Sequence, residues 1–241
     1  MTEIQISKII RSKRRTIALQ VCPDATVIIR APFKASDTYI NGFVELKRGW
    51  ITRKQKFFRQ QSRSVKEKEF VTGEEFMYLG ETYKLYVEPA QSTPRCPTGI
   101  RGAPLVSIGA PLLFDSAFHL AQDCQSRAEQ EFIKWYKEQA RAGITERVNL
   151  YSSQTGLRYK QIKISSARKR WGSCSRGGNL NFSWRLIMAP PAVIDYVVAH
   201  EVAHLEHKNH SRNFWNKVMA LNPDYKQRRR WLREHGHLLE L

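Results

Sequence analysis

Residues 191–210 read PAVIDYVVAHEVAHLEHKNH and hold four of the seven histidines of the 241-residue chain. A proline suits the first turn of a helix, so the stretch is predicted to be helical from its first residue. His200 and His204 then lie within about 40° of each other, on the same inward arc as Val193 and Val197. Two imidazoles one turn apart can bind one ion, which is the basis of the HExxH zinc signature.

Glu201 follows the first histidine, where its carboxylate can take a proton from a zinc-bound water without binding the metal. A straight helix cannot place three ligands around one tetrahedral centre, so a third ligand is expected from the following turn. Lys208 and Asn209 can end the helix and bring His210 back to the metal. His207 is an alternative third ligand, although the spacing H-E-x-x-H-x5-H favours His210. Another interpretation is a partly packed group of histidines that binds no metal.

The composition indicates a folded, strongly basic protein. The chain has 40 Lys and Arg against 22 Asp and Glu, a formal net charge of +18, with 41% hydrophobic and 11% aromatic residues. The charge favours anionic partners such as nucleotides or nucleic acid, although a solvated basic surface has the same composition. The sequence shows no secretory signal, no apolar run of membrane-spanning length and no CxxC pair among its four cysteines. These features predict a cytoplasmic protein that does not associate with membranes.

Two parts are expected along the chain, with a boundary in or just after the Pro- and Gly-rich segment 91–104. Residues 1–110 are predicted to form hairpins at 17–30 and 76–88, with one long amphipathic helix between them. This part is expected to pack on the catalytic core, residues 111–241, or to be continuous with it.

The second part is predicted to begin with a helix. Asp115 or Ser116 is expected to cap this helix, whose apolar side recurs from Phe118 to Trp135. Residues 179–187 alternate apolar and polar side chains and predict a strand. The SRGG turn at 175–178 should join that strand to WGSC as a hairpin.

Several motifs together resemble those of one known family. They are R-W-G-S-C, a strand that ends in R-L before a proline, and the run Y-V-x-x-H-E-x-x-H-L-x-H-x-x-H followed by F-W. On these motifs the chain resembles the YgjP-like family of bacterial zinc metallopeptidase-type proteins, which is related to the SprT-like zincins. The N-terminal runs RSKRRTIALQV, IRAPF and YLGETYKLYV are also similar, so the resemblance spans nearly the full chain.

The resemblance implies an α+β fold. Its zincin-like core has a helix, a small antiparallel-rich sheet, the HExxH helix and C-terminal helices, and a β-hairpin and helix part precedes it. The resemblance further implies that His200, His204 and His210 bind Zn²⁺ and that Glu201 is the general base.

Other residues near the motifs have two interpretations each. Arg168 and Arg170 can bind an anionic part of the substrate or stabilise an oxyanion, or they belong to a solvated basic run. Tyr196 is a second oxyanion candidate, but its direction on the helix favours core packing. Cys174 is expected to be a small structural residue, since a fourth protein ligand closes a catalytic zinc site.

Three functions follow from these observations. The leading hypothesis is a zinc metallopeptidase that cleaves peptide or protein substrates with a zinc-bound water and Glu201. The first alternative is a metal-dependent phosphohydrolase that acts on nucleotides or other anionic substrates, which the net charge favours. The second alternative is a nucleic-acid-binding protein with a structural metal site, which predicts salt-sensitive binding and unfolding on metal removal.

Overall fold

The computed structural model describes residues 4, 6–22, 24–64, 67–89 and 112–241. The chain divides into two compact units, Met1–Lys66 and Glu67–Leu241. The boundary predicted near residue 110, together with the segment 91–104, lies outside the described residues. Within the described ranges, no helix is both long enough and apolar enough to cross a membrane.

The first unit is a three-stranded sheet followed by two helices. Its elements are β1 (Ile6–Ser12), β2 (Ala18–Val21), β3 (Val27–Pro32), α1 (Asp37–Leu46) and α2 (Arg48–Ser64). The antiparallel pairing of β2 with β3 confirms the hairpin predicted at 17–30, and β1 lies parallel to β3. The prediction of one continuous helix is wrong, because the backbone leaves helical geometry at Lys47 (φ −99°, ψ 5°). Ile40, Val44 and Ile51 nevertheless belong to one buried cluster, as their spacing indicates.

The second unit contains both helices and strands, which confirms the α+β class. Its elements are β4 (Glu75–Tyr78), β5 (Glu81–Glu88), β6 (Leu112–Phe114), β7 (Phe118–Ala121), α3 (Ala128–Thr155), β8 (Gln161–Ser165), β9 (Gly172–Cys174), β10 (Asn179–Ser183), α4 (Pro191–Glu206), α5 (Arg212–Leu221) and α6 (Tyr225–His235). They form two sheets, ordered β4-β5-β7-β6 and β8-β10-β9. Each sheet contains one parallel pair, β5 with β7 and β10 with β8, and its remaining pairing is antiparallel.

The four-stranded sheet contains the hairpin predicted at 76–88, which therefore lies in the second unit. The hairpin turns at Gly80, whose φ is +90° and whose added Cβ would lie 2.9 Å from the Pro190 Cα. Glycine is needed there because its backbone adopts a positive φ at little cost and has no Cβ to clash with Pro190. The turn thereby packs directly against the start of α4.

The helix predicted from Asp115 or Ser116 is wrong. Residues 112–121 form the β6–β7 hairpin, and β7 also pairs with β5. A 3-10 turn at Gln122–Arg127 follows, and α3 begins only at Ala128. The apolar spacing of this region fits a helix locally, but tertiary pairing with β5 determines the outcome.

The β8-β10-β9 sheet positions the segment that precedes α4. The antiparallel pairing of β9 with β10 confirms the WGSC hairpin. The predicted strand over 179–187 ends early, at Ser183, where the side-chain hydroxyl donates to the Ala167 carbonyl at 2.8 Å. Residues 184–188 form a 3-10 turn that is buried throughout.

Helix α4 lies in the core of the second unit. It packs against α3, α5, α6 and β9. Its buried positions surround the helix and include Val193, Ile194, Tyr196, Val197, Val198, Ala199, Val202 and Ala203. A helix that is apolar on most sides is typical of a protein interior, so the polar groups on α4 need a specific reason to be there.

The residues after α6 pack against the segments on either side of β10. The Arg185 side chain is 5% exposed and its Nε donates to Glu240 Oε2 at 2.8 Å. Gly236 lies against Trp171, since an added Cβ would be 2.8 Å from the indole Cζ2. These contacts tie the segment 236–240 to the residue just before β9 and to the turn after β10.

Candidate metal centre

Three polar residues of α4 converge on one side of the helix. His200 and His204 are one turn apart, half-buried, and their ring centroids are 4.9 Å apart. Glu201 is 5% exposed, which is unusual for a carboxylate. The helix thus places two imidazoles and a buried acid together within an apolar core.

His210 reaches the same point from the turn after the helix. Helix α4 ends at Glu206, and Ser211 caps α5, where its hydroxyl accepts a hydrogen bond from the Phe214 N–H. The His210 Nε2 lies 3.2 Å from the His200 Nε2. One ring nitrogen from each of His200, His204 and His210 lies within 4.8 Å of the others.

His207, the alternative third ligand, points elsewhere. Its ring Nε2 lies 3.5 Å from Glu206 Oε1. Its carbonyl accepts a hydrogen bond from the His204 Nδ1 at 2.9 Å. Because Nδ1 carries the proton that it donates in this bond, the lone pair of the neutral ring is on the His204 Nε2, which can bind a metal. The backbone carbonyl of His207 therefore orients the His204 ring, while the His207 side chain lies outside the group of three histidines.

Aromatic rings hold the histidines in position. Phe214 stacks on His204 with centroids 4.4 Å apart, and Trp215 stacks on His210 at 5.7 Å. Both aromatic residues lie on α5, immediately after the turn that carries His210. The packing of α5 against α4 thus sets the ring orientations.

Electrostatics keep the His200 imidazole neutral. Burial lowers its pKa to about 3, and the nearby charges of His204, His210 and Arg229 act in the same direction. Within the described part of the chain, its Nδ1 is buried without a hydrogen-bond partner. Burial also lowers the pKa of His204. Neutral imidazoles are the form that binds a metal, so this donor set fits a tetrahedral zinc ion with an open position.

Glu201 lies beside the histidines and is almost fully buried. Burial raises the pKa of its carboxyl to about 8, although the Arg170 charge opposes this shift. The Oε2 atom is buried and has no hydrogen-bond partner among the described residues. Gly172 of β9 lies against the side chain, since an added Cβ would be 2.6 Å from the Glu201 Cγ. An unpartnered carboxyl oxygen can accept or hold a proton.

A cleft of about 300 Å³ opens over these residues. It is lined by the three histidines, Glu201, Gly172, Ser173 and the side chains of Arg170, Cys174 and Lys208. Cys174 lies 3.9 Å from the Lys208 Nζ, and burial raises the pKa of its thiol. The three-histidine group does not include this cysteine.

The two arginines for which the sequence suggests one role, Arg168 and Arg170, lie in different surroundings. Arg170 lines the cleft, and its charge acts on Glu201. Arg168 lies instead near Glu240, with its Nε 3.8 Å from Oε2. The segment between β8 (Gln161–Ser165) and β9 (Gly172–Cys174) is not a strand, so the two-residue spacing of these arginines does not place them on one side.

A second cavity of about 290 Å³ adjoins the cleft and shares Gly172, His200 and Glu201 with it. Tyr196, whose ring centroid is 6.0 Å from that of His200, lines this cavity as well as packing in the core. Arg229 and Arg233 of α6 line it too. The sequence analysis missed both arginines and Gly172. Only Gly172 had a local signal, as the glycine within WGSC.

Comparison with known proteins identifies the family of the chain and a solved structure similar to part of it. The model of the family described as "YgjP-like, metallopeptidase domain" matches residues 15–235. The crystal structure of the metallopeptidase zymogen of Pyrococcus abyssi abylysin is similar at 18% identity and a TM-score of 0.35, covering 38% of this chain and 93% of that chain. No curated protein matches the chain.

Proposed function

The chain belongs to the YgjP-like metallopeptidase family, and we propose that its metal is zinc, held by His200, His204 and His210, with Glu201 as the proton carrier. A metallopeptidase acts on a peptide or protein. The observation that carries the proposal is the convergence of three histidine nitrogens within 4.8 Å beside a buried carboxyl group.

The donor set favours zinc among the common metal ions. Three imidazoles suit Zn²⁺, whereas Mg²⁺ and Ca²⁺ prefer sites built from oxygen atoms. The described part of the site contains one carboxyl group, Glu201, which lies beside the three nitrogens. A three-histidine site leaves a fourth position open for a substrate or a water molecule.

When bound, zinc supplies Lewis acidity, which polarises a peptide carbonyl and acidifies water. The chain supplies the proton transfers. Glu201 Oε2 takes the proton from the attacking water and then delivers it to the leaving amine nitrogen. The His204–His207 hydrogen bond keeps the His204 ring turned towards the site. Arg170 and Lys208 at the cleft rim are placed to contact the substrate.

The proposal is tested by Glu201→Gln with Glu206→Gln as the matched control. Glu206 is on the same helix but is exposed and bonded to Lys217 at 2.7 Å. We expect full zinc content in both variants and a loss of peptide turnover of about 10²–10⁴-fold in Glu201→Gln alone. Unchanged turnover in Glu201→Gln would exclude the role of this residue, and zinc-free wild type would exclude the ligand set.

A phosphohydrolase is the second candidate, because two cations, Arg170 and Lys208, line the cleft. It is tested with the same proteins on a nucleotide panel. Hydrolysis of nucleotides without any peptide cleavage, lost in Glu201→Gln, would favour this activity over the peptidase.

A further inference from the structure

The cavity beside the metal centre has a charged wall that the proposed proton chemistry does not use. It shares Gly172, His200 and Glu201 with the cleft, so the two spaces meet at the candidate metal site. Successive residues of a peptide are 3.8 Å apart. A peptide with its cleaved bond at the metal site therefore has a neighbouring side chain, or its chain terminus, in reach of this cavity.

Arg229 and Arg233 give this cavity its positive charge. They are four residues apart on α6, so they lie on the same face of that helix. The Arg229 guanidinium lies over the Trp215 ring, 5.1 Å from its centroid. Arg229 lines the same cavity as Tyr196 and His200, so its charge lies beside the candidate metal site.

Among the described residues, neither guanidinium has a carboxylate partner that it does not share. The Arg229 guanidinium contacts the Trp215 ring and forms no ion pair within that part of the chain. Arg233 is 3.7 Å from Glu234, but that carboxylate bonds Arg230 at the shorter distance of 2.9 Å. Two arginines on one helix face that have, within the described residues, a single and otherwise engaged carboxylate between them favour an anionic ligand, and the planar fork of arginine matches a carboxylate.

The remaining walls and the size of the cavity limit what it accepts. Trp171, Val197 and Leu232 provide apolar surface, and Tyr196 adds a phenol. The volume of about 290 Å³ is just below the range of about 300–1,000 Å³ for ligand pockets. The cavity therefore fits one short group with an apolar stem and a charged end, such as a glutamate side chain.

Building on the proposed peptidase function, we propose that this cavity is a subsite for a carboxylate of the peptide substrate, within one or two residues of the cleaved bond. Arg229 and Arg233 bind the carboxylate, and Trp171 and Leu232 pack on its stem. The carboxylate belongs to an acidic side chain or to the C-terminus of the peptide, and the substrates below distinguish these sources.

The test uses the zinc-loaded full chain and peptides in matched pairs. One set compares Glu or Asp with Gln or Asn near the cleaved bond, and another compares free with amidated C-termini. We expect the wild type to favour one carboxylate form by at least about tenfold in kcat/KM. The preference should fall towards unity in the double variant Arg229→Gln/Arg233→Gln. It should also fall in the single variant Arg233→Gln, which changes only an exposed residue. Arg228→Gln, on the same helix but away from the cavity, should keep it.

A binding measurement makes the outcome independent of turnover. N-acetylglutamate should bind Glu201→Gln at least about tenfold more tightly than N-acetylglutaminamide, which has no carboxylate, and adding the two arginine substitutions should abolish the difference. If the wild type cleaves no peptide, the proposed peptidase function fails, and the subsite is then tested by this binding measurement alone. Equal binding of both probes, or a preference that survives the double substitution, would overturn the subsite.

Discussion

Replacing Gly172 by alanine should inactivate the enzyme while leaving its metal in place. An alanine Cβ at this position would lie 2.6 Å from the Glu201 Cγ and 2.7 Å from Oε1. Carbon atoms in contact prefer about 3.5–4.0 Å, so the Glu201 side chain has to move by roughly 1 Å. A displacement of that size at a reacting group costs about 10²-fold in rate.

The same clash has a thermodynamic cost. Overpacking a well-filled site costs about 1–3 kcal/mol, and 1 kcal/mol lowers Tm by about 2–4 °C in a protein of 150–250 residues. Glu201 is 5% exposed, so little open space is available to relieve the clash. We therefore expect a drop in Tm of a few degrees to about ten degrees, together with the loss of activity.

The assay compares kcat/KM, zinc content and Tm for wild type, Gly172→Ala and Gly177→Ala. Gly177 is a suitable control because it lies in the turn of the same hairpin, and its added Cβ meets nothing closer than 4.0 Å. Full activity and an unchanged Tm in Gly172→Ala would refute the packing described for Glu201. Loss of zinc together with activity would show that Gly172 supports the histidines rather than the carboxyl group.

Two further predictions concern the site. His210→Ala should lower zinc affinity by at least about tenfold. His207→Ala should retain zinc, because the bond to His204 uses the His207 carbonyl. Titration with a competing chelator measures the zinc affinity of both variants. In chelated protein, burial raises the pKa of Glu201 to about 8 from an ordinary 4.5, so the folded state holds a proton that the unfolded state has lost. Stability due to this group therefore falls as pH rises between those values, and Glu201→Gln should become the more stable protein at pH 8 but not at pH 4.5. Equal Tm differences at both pH values would contradict this.

The parts of the structure that the sequence predicted are those with local causes. The HExxH helix follows from a proline start and a 3.6-residue period, and the hairpins follow from alternation around a turn. The spacing of Phe118 and Ala121 fits a helix, but their pairing with β5 depends on residues about 30 positions earlier. Ser183 ends β10 through a bond to Ala167, which no local pattern reveals.

The site likewise combines residues that a local pattern predicts with residues that only distant contacts bring together. The three histidines lie within eleven residues, so their convergence depends on one helix and one turn. Arg229 and Arg233 come from a basic run that resembles other basic runs in the chain. Only the packing of α6 against α4 brings them to the second cavity. The separation of Arg168 from Arg170 likewise depends on Glu240, 70 positions or more along the chain.

The contacts of residues 236–240 bear on how the protein is made. Gly236 supports Trp171, and Glu240 provides the ion-pair partner of the buried Arg185. A chain still being synthesised has made its metal-binding helix well before it has made these residues. The wall of the second cavity, which Trp171 lines, is thus completed only after residues 236–240 have left the ribosome.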